Sequence, residues 1–579
     1  MTLAARSEMQ SAAPAFKNYF LVVAGMAFLL ATGIALAGIF SDLSLGDEVY
    51  QYRFAKLWYE TGQRPVYDPL LETNFRCLYY FDQDPLWAMG LMALWKLTGG
   101  VSKSAMQIYH AAFYALLVIA VYLLGKQLYD EKTGLYASVI TASTPFLVAY
   151  SVVGYIDVPA VTLATAMFLM LAKKRLFWAG VFAGLAFLMK RNTWLFIPPL
   201  AVYLLYLWHR KEISIREIVL FALPAGLITM GELAGRYLLW GSIFFAPSGS
   251  EEVATAVLTG QRHVQFPGPL ELFGRGVSAL YAWVQDTVLQ VLVALSPTKE
   301  IATAGQAAKT AAPWVTSLQG RLSAPLMPLT VNVQWGYTPS NIFFDPMSIP
   351  TYLGIPLLLL LPGYLILRRR KSEDLILLLP AVFYFIEYLY FFRGQWAVRY
   401  LAPIFGMLSV LSAAGLQHIR ARLGSRPARW ILPILAIVCA LQYGGSLAKL
   451  FATRQVSGGV REAYRHIASE APEDTVILYP EYGLSEETGR AMVWIRLLEL
   501  PQLFWQLDEQ QSQKILALYR VRYILIKKER IYEDGVVKHR LGYPSSWVDR
   551  IHGYGSFRRV FENGEAEILK IDPPEQKKT

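Results

Sequence analysis

Charged side chains are scarce in this chain of 579 residues. Lys, Arg, Asp and Glu make up 17% of the sequence, whereas hydrophobic residues make up 55% and the mean hydropathy is +0.34. This composition excludes a string of soluble domains and is typical of a polytopic membrane protein. Cysteine is also rare. Cys77 lies in a polar loop and Cys439 in an apolar run, which argues against a disulfide between them, and no thiol-rich metal motif exists.

Nucleotide-binding motifs are absent as well. The chain contains no G-x-G-x-x-G fingerprint and no P-loop. The formal net charge is +11, but the basic residues cluster in short loops, and the sequence has no basic, aromatic surface module that would bind nucleic acid. We therefore expect no nucleic-acid partner and no bound nucleotide.

Long apolar runs divide the first 454 residues. The first, from Tyr19 to Phe40, is about 20 residues long, which suffices to span a bilayer and exceeds a usual signal core. We predict a retained first helix whose N-terminus is cytoplasmic. Further runs of spanning length lie at about 105–125, 134–151, 158–172, 193–208, 217–238, 351–367, 374–392, 399–417 and 430–447, with shorter runs at 85–98 and 176–189.

Basic clusters between these runs indicate how the chain crosses the membrane. If residues 85–98 lie along the membrane surface, all of the clusters fall on the side of the N-terminus, as the positive-inside rule requires. The clusters are Lys173–Arg175, His209–Lys211, Arg368–Lys371 and Arg420–Arg429. The sequence thus predicts a mainly α-helical protein with about eleven transmembrane helices. Its outer loops would be 41–103, 151–158 and 241–350.

Residues 455–579 have the composition of a soluble domain, after a transmembrane domain that comprises residues 1–454. The segments "DTVILYP", "RYILIKK" and "FRRVFENGEAEILKI" predict strands, the last with a turn at Asn563-Gly564, and "SQKILALYRV" predicts an amphipathic helix. This alternation predicts a small α/β domain outside the cytoplasm.

Five acids are predicted to reach one outer membrane–water interface. Asp47 and Glu48 open the first outer loop, Asp82 and Asp84 precede the surface helix, and Asp157 lies between two spans. Acids at the ends of spanning helices are costly to bury, so they tend to face a cavity. Asp84 and Asp157, each close to a proline, also fit simple helix caps. As a set, the acids favour a functional site.

Four cations on the same side depart from the positive-inside rule. Lys190 and Arg191 lie between two apolar segments, and Arg393 and Arg399 lie at a second hairpin. Contact with outer headgroups would explain one of them, but four at two hairpins favour a bound anion such as a phosphate. With a carboxylate base opposite, this layout suits transfer from a lipid phosphate. The leaving group needs fixed cations, and the acceptor hydroxyl needs a proton acceptor.

The order and context of several segments resemble the membrane glycosyltransferases of the GT-C superfold. Similar families are the bacterial aminoarabinose transferases and the protein O-mannosyltransferases. The resemblance covers about residues 15–420, and it rests on "GDEVYQYRFA", "YYFDQDPLWAMGLMALWKLTG", "GLYASVITASTPFLVAYSVVGYIDVPA", "GLAFLMKRNTW" and "VRYLAPIFGMLSVLSAAGL".

The resemblance implies an inverting transfer of a sugar from a polyprenyl phosphate to a hydroxyl of a glycan, lipid or protein. It also implies a multi-pass protein of the bacterial inner membrane whose active site and C-terminal domain face the periplasm. Asp47 of the pair with Glu48 would be the catalytic acid of the first loop, and Asp157 its partner from the second. The implied donor-phosphate site comprises Lys190, Arg191, Arg393 and Arg399.

The chain departs from the aminoarabinose transferases at one place. They usually have Phe-Glu-Lys-Pro-Pro where this chain has "YFDQDPL", so Asp82 keeps the acid but Asp84 replaces a proline. Neither a lipid A acceptor nor an aminoarabinose donor therefore follows. We expect Tyr80, Asp82 and Asp84 to contact substrate. No cofactor is required, but the relatives can pair the acid through a divalent metal with a histidine, here Asp82 with His263. A lone loop histidine is more often only a hydrogen-bonding group.

Two other functions stay open. A transporter or flippase for a lipid-linked sugar would use the same cavity, with inverted repeats and ionisable residues near mid-membrane. Glu232 and Glu387 are the candidates for such residues, and the sequence contains no internal repeat. A polymerase or ligase would act instead on a diphosphate-linked glycan.

Overall fold

The computed structural model describes residues 19–42, 46–65, 70, 84–240, 374–391, 398–423, 425–453, 456–479, 483–493, 507–518, 520–532 and 543–572, with isolated positions between 354 and 365. Up to residue 453 the described chain is helical. The helices are α1 (Tyr19–Ile39), α2 (Gly46–Thr61), α3 (Pro85–Thr98), α4 (Lys103–Leu128), α5 (Glu131–Ser143), α6 (Pro145–Val153), α7 (Asp157–Ala172), α8 (Leu176–Met189), α9 (Ile197–His209), α10 (Ile215–Trp240), α11 (Leu375–Phe391), α12 (Phe405–Arg422) and α13 (Ser425–Thr453). Short 3₁₀ turns, Arg191–Phe196 and Val398–Ile404, precede α9 and α12.

The multi-pass membrane architecture predicted from hydropathy is present. Within the described ranges, five segments are long and apolar enough to cross a bilayer, namely α1, α4, Ile215–Leu238 of α10, Leu401–Arg422 and Pro427–Ala448. Helices α7 and α8 and the first part of α11 are apolar but shorter. The count of about eleven transmembrane helices stays a prediction. The predicted domain boundary falls on residues 454 and 455, outside the described residues.

The apolar run predicted as one span at 134–151 is broken in the structure. Helix α5 ends at Ser143, α6 begins at Pro145, and the two axes differ by 55°. A proline disfavours helical backbone at the residue before it, and Thr144 is extended, with φ −61° and ψ 113°. Hydropathy does not distinguish this bent pair from a straight helix.

A mixed β-sheet organises the C-terminal domain. Its elements are α14 (Gly458–Glu470), β1 (Val476–Leu478), α15 (Gly483–Thr488), β2 (Ala491–Val493), α16 (Glu509–Leu518), β3 (Val521–Lys527), β4 (Ile531–Tyr532), β5 (Tyr543–Pro544), α17 (Ser545–Gly553), β6 (Phe557–Glu562) and β7 (Ala566–Ile571). The main sheet has the order β2-β1-β3-β7-β6; β1 runs parallel to β2 and β3, and β7 runs antiparallel to β3 and β6. The predicted α/β elements are therefore present.

Successive side chains of the central strand, β3, point to opposite faces of the sheet, and both faces are buried. Ile524 and Ile526 face a cluster with α16 and α17, whereas Tyr523 and Leu525 face one with α14. This period of two is what a strand covered by helices on both sides requires. The domain packs against α2 through α15. The C-terminal domain thus lies at the end of the helix bundle that includes α2. We call this end the domain end.

Glycine allows α8 and α10 to approach closely. A Cβ atom added at Gly180 would lie 2.1 Å from the backbone oxygen of Phe221, and one at Gly184 would lie 2.7 Å from Ile228 Cβ. Small residues at such interfaces are typical of helices packed in a membrane. The backbone of α8 therefore lies directly against α10, against its backbone at Gly180 and against the Ile228 side chain at Gly184.

Replacing Gly180 by alanine should destabilise the protein, because the added methyl group meets backbone that cannot move aside. Overpacking typically costs about 1–3 kcal/mol, so the midpoint of thermal unfolding in detergent should fall. Gly226→Ala in α10 is the matched control. Its added Cβ meets nothing within 4 Å, and alanine is the better helix former. Equal midpoints for the two variants would contradict the close approach.

Candidate active site

Asp84 is the centre of a buried group of ion pairs at the domain end. Its Oδ1 atom lies 3.0 Å from Arg191 Nε and 2.9 Å from Arg236 Nη2, and its Oδ2 accepts the backbone N–H of Arg191 at 2.9 Å. It occupies the N-cap position of α3 but makes no side-chain capping bond. The carboxylate therefore joins α3 to α10 and to the 3₁₀ turn after α8.

Arg236 extends this group along α10. It is 0% exposed, and its Nε atom donates to Glu232 Oε1, one turn earlier on the helix, at 2.8 Å. Arg64, from the segment after α2, binds the same carboxylate with both terminal nitrogens, at 2.9 and 3.0 Å. A buried guanidinium is tolerated only where its charge is compensated. Here two carboxylates from different elements compensate it.

Asp157 and Lys190 form a second ion pair beside the first group. Asp157 is the first residue of α7, and Lys190 follows the last residue of α8. Their side chains are 3% and 12% exposed, and Lys190 Nζ donates to Asp157 Oδ1. The position at a helix N-terminus favours the carboxylate. Because Lys190 and Arg191 are consecutive, the two groups form one ion cluster (Arg64, Asp84, Asp157, Lys190, Arg191, Glu232 and Arg236).

The remaining predicted site residues fall into two sets. Asp47 and Glu48 lie in the first turn of α2, where the helix dipole favours acids. Glu48 is fully buried. Arg399 lies in the 3₁₀ turn before α12. The others, Tyr80, Asp82, His263 and Arg393, lie outside the described residues. The catalytic and substrate-binding roles given to all of these residues stay predictions.

The predicted metal pair, Asp82 with His263, cannot be placed because both residues lie outside the described ranges. Within those ranges, no three residues among His, Cys, Asp and Glu are grouped so that they could hold a metal ion.

Sequence reasoning missed two cations of the cluster. Arg236 and Arg64 were not singled out, and Glu232 was considered only for a transporter. A signal for Arg236 is present: Glu232 and Arg236 stand four residues apart in the apolar stretch that follows Glu217, the spacing of a side-chain ion pair. Arg64 carries no comparable signal, because its partner lies 168 positions away.

A largely apolar groove opens beside the ion cluster. Its volume is about 680 Å³, and it is lined by residues of α7, α8, α9, α10 and the 3₁₀ turn between α8 and α9. Met167, Phe187 and Leu233 contribute to its walls, and Arg191 lines it too. We call it the α8–α10 groove. At its polar part, both amide atoms of Asn192 and the hydroxyl oxygen of Thr193 are buried without a hydrogen-bond partner in the described structure.

Comparison with known proteins gives the fold a family context. Residues 83–230 match the family model for dolichyl-phosphate-mannose-protein mannosyltransferase, a range that contains Asp84, Asp157, Lys190 and Arg191. No curated protein matches the chain in sequence.

Solved structures are similar over much greater lengths. The oligosaccharyltransferase of Archaeoglobus fulgidus in its apo form has a TM-score of 0.59 and 14% identity, over 88% of this chain and 70% of its own. ArnT from Cupriavidus metallidurans, bound to undecaprenyl phosphate, has a TM-score of 0.55 and 10% identity, over 96% and 98%. Another structure of the archaeal enzyme is a complex with Zn and sulfate, with a TM-score of 0.57 at 14% identity, over 87% of this chain and 68% of its own. The predicted GT-C fold is thereby confirmed, and the predicted enzyme class, a membrane glycosyltransferase, agrees with both comparisons.

Replacing Asp84 by asparagine should destabilise the protein, because Arg236 stays buried with one of its two carboxylates lost. Removing one partner of a buried ion pair costs about 3–5 kcal/mol. We expect a marked fall in the midpoint of thermal unfolding in detergent. Glu131→Gln is the control, since it removes an exposed pair with Lys126 that is worth about 0–1 kcal/mol. If Asp84→Asn unfolds at the same temperature as the control, Asp84 does not hold the cluster together.

Proposed function

We propose that this protein transfers a sugar from a polyprenyl phosphate to a hydroxyl group of a glycan, lipid or protein outside the cytoplasm, with inversion at the anomeric carbon. One observation carries this proposal. A cluster of paired acids and cations adjoins an apolar groove whose polar part includes Arg191 and buried, unpartnered groups of Asn192 and Thr193.

The α8–α10 groove suits the two halves of such a donor. Its apolar walls match an isoprenoid tail, and Arg191 with the Asn192 amide and the Thr193 hydroxyl matches a phosphate. Buried polar atoms without partners are costly, and a ligand that bonds to them removes that cost. Similar proteins support the match, since ArnT is solved with undecaprenyl phosphate and the archaeal enzyme AglB with a dolichol-phosphate and an inhibitory peptide.

The transfer step follows from the charges at the cluster. The acceptor hydroxyl attacks the anomeric carbon from the face opposite the phosphate, and the bond from that carbon to the phosphate oxygen breaks. The phosphate leaves with the electron pair, and Lys190 and Arg191 stabilise its charge. The hydroxyl proton passes to a carboxylate, for which we assign Asp47 of the pair with Glu48. Because Asp157 is bonded to Lys190, its role in the step is to orient that cation.

The ion pairs of Glu232 argue against a role for this acid in transport. Glu232 is one of the two acids considered for a transporter. Glu232 is bonded to Arg64 and Arg236, so its charge is compensated in place. A proton or ion relay needs a carboxylate that changes partner during transport. The cluster fixes this one between two guanidinium groups.

Replacing Asp47 by asparagine should abolish transfer while leaving expression and donor binding intact, because the amide cannot accept the proton. A positioned base contributes roughly 10²–10⁴-fold to rate. The measurement is product formation from a radiolabelled polyprenyl-phosphate sugar in vesicles. Glu60→Gln, at the exposed end of the same helix, is the control and should keep full activity. An active Asp47→Asn enzyme would exclude Asp47 as the base.

The same vesicles separate the proposed reaction from its rivals. Labelled product without movement of label across the bilayer supports transfer, and movement without product supports transport. A requirement for a diphosphate-linked donor would support a polymerase or ligase. Mass spectrometry of envelope glycans and lipids, with and without the protein, then identifies the acceptor.

Replacing Asn192 by leucine should weaken donor binding, because the phosphate loses a buried hydrogen-bonding group. One hydrogen bond to a charged group is worth about 1.5–3 kcal/mol, so the half-saturating donor concentration should rise roughly tenfold or more. Thr165→Val is the control: its hydroxyl bonds within its own helix, to Val161. Unchanged half-saturation by Asn192→Leu would place the donor phosphate elsewhere.

A further inference from the structure

Helix α2, which begins with the Asp47–Glu48 pair, is held on one side by aromatic packing. Tyr52 and Tyr59 both meet the ring of Trp95 on α3 edge-on, with centroids 5.6 and 5.8 Å apart. Phe54 and Ala55 are buried in the same hydrophobic cluster. The two ring contacts fix α2 against α3 and are apolar.

A second attachment of α2 is ionic and comes from the C-terminal domain. Glu486 of α15 accepts from Arg53 Nη1 at 3.2 Å through Oε2 and from Lys56 Nζ at 2.6 Å through Oε1. Arg53 and Lys56 stand three residues apart, so they share one face of the helix. The side chains of Arg53 and Glu486 are 6% and 15% exposed, so solvent screens their ion pair weakly.

A second contact holds the chain just before α2. Asp42 Oδ2 accepts the backbone N–H of Val456 and Arg461 Nη2, both at 2.7 Å. The C-terminal domain thus binds the chain before α2 at residue 42, and it binds α2 itself at residues 53 and 56. The first turn of α2, with Asp47 and Glu48, lies between these two attachments.

The pKa of a neighbouring tyrosine agrees with the closeness of Glu486 to this helix. Burial, together with the negative charges of Glu486 and Glu60, raises the pKa of the Tyr52 hydroxyl to about 12. Tyr52 is on α2 and packs on Trp95, so the aromatic contact and the carboxylate of Glu486 meet the helix at neighbouring positions.

We propose that Glu486 is a positioning residue that sets the orientation of α2, and thereby of the Asp47–Glu48 pair, from outside the membrane domain. This inference rests on the proposed function for its catalytic consequence. The carboxylate does not touch substrate. It acts through its ion pairs with Arg53 and Lys56, which fix this part of α2 against the C-terminal domain.

Hydrogen–deuterium exchange tests the structural half of this proposal without any substrate. Glu486→Gln should speed backbone exchange across residues 46–61 severalfold, while exchange in β3 of the C-terminal domain stays as in the original protein. Glu486→Asp keeps the charge and should preserve most of the protection. Glu562→Gln is the matched control, because Glu562 also accepts from a lysine and an arginine, Lys528 and Arg559, but within its own domain. Unchanged exchange in residues 46–61 would overturn the proposal.

Kinetics test the functional half. Glu486→Gln should lower kcat roughly tenfold or more, because a displaced base loses alignment with the acceptor. The half-saturating donor concentration should stay constant, since the α8–α10 groove is untouched. Faster exchange in residues 46–61 with unchanged kcat would overturn the positioning role. If the original protein transfers no sugar from any polyprenyl phosphate, the proposed function fails, and the exchange experiment still decides whether Glu486 orders α2.

Discussion

A buried charge must have a partner, and this requirement determines how the domain end of the bundle is built. Asp84 receives three donors, two from Arg191 and one from Arg236. An unpaired carboxylate or guanidinium at this depth would cost several kcal/mol, so α3, α10 and the turn after α8 cannot separate independently. Lys190 precedes Arg191 in that turn, which places it beside Asp157. The geometry of the candidate site thus depends on the Asp84 carboxylate.

The same pairs set the conditions for binding an anion. Lys190 and Arg191 are adjacent, and each is held by a carboxylate from a different helix. A fixed cation needs little reorganisation when a phosphate arrives, which is what electrostatic stabilisation of a leaving group demands. In the proposed reaction, the carboxylates of Asp157 and Asp84 would compete with the donor phosphate for those cations. They would lower the affinity for the donor but hold Lys190 and Arg191 in a fixed orientation.

Hydropathy and period-two alternation predicted much of the architecture. The first apolar helix of spanning length, a helix from residue 85 and the strands around Ile524 and Leu569 are all present. That the helix from residue 85 lies along the membrane surface stays a prediction. These signals are local, since each depends on neighbours within one helix or strand. The ion cluster is not local: Arg236 and Asp84 are 152 positions apart. No periodicity in one sequence links such residues, so the acids and cations could be assigned to one side of the membrane but not to their partners.

The chain departs from the aminoarabinose transferase pattern at the residue on which the cluster centres. Asp84 stands where that family usually has a proline. A proline side chain there could accept no hydrogen bond. The aspartate side chain binds the guanidinium groups of Arg191 and Arg236 and also accepts the backbone N–H of Arg191. About four acceptor positions exist on a carboxylate, and these donors take three of them. The expected contact of Asp84 with substrate stays a prediction. Arg236, buried in α10, and Asp84 support each other: among the described residues, Arg236 without Asp84 would keep only Glu232 as a partner, and Asp84 without Arg236 would keep only Arg191. In this chain, Asp84 therefore joins the segment before α3 to α10 and to the turn after α8.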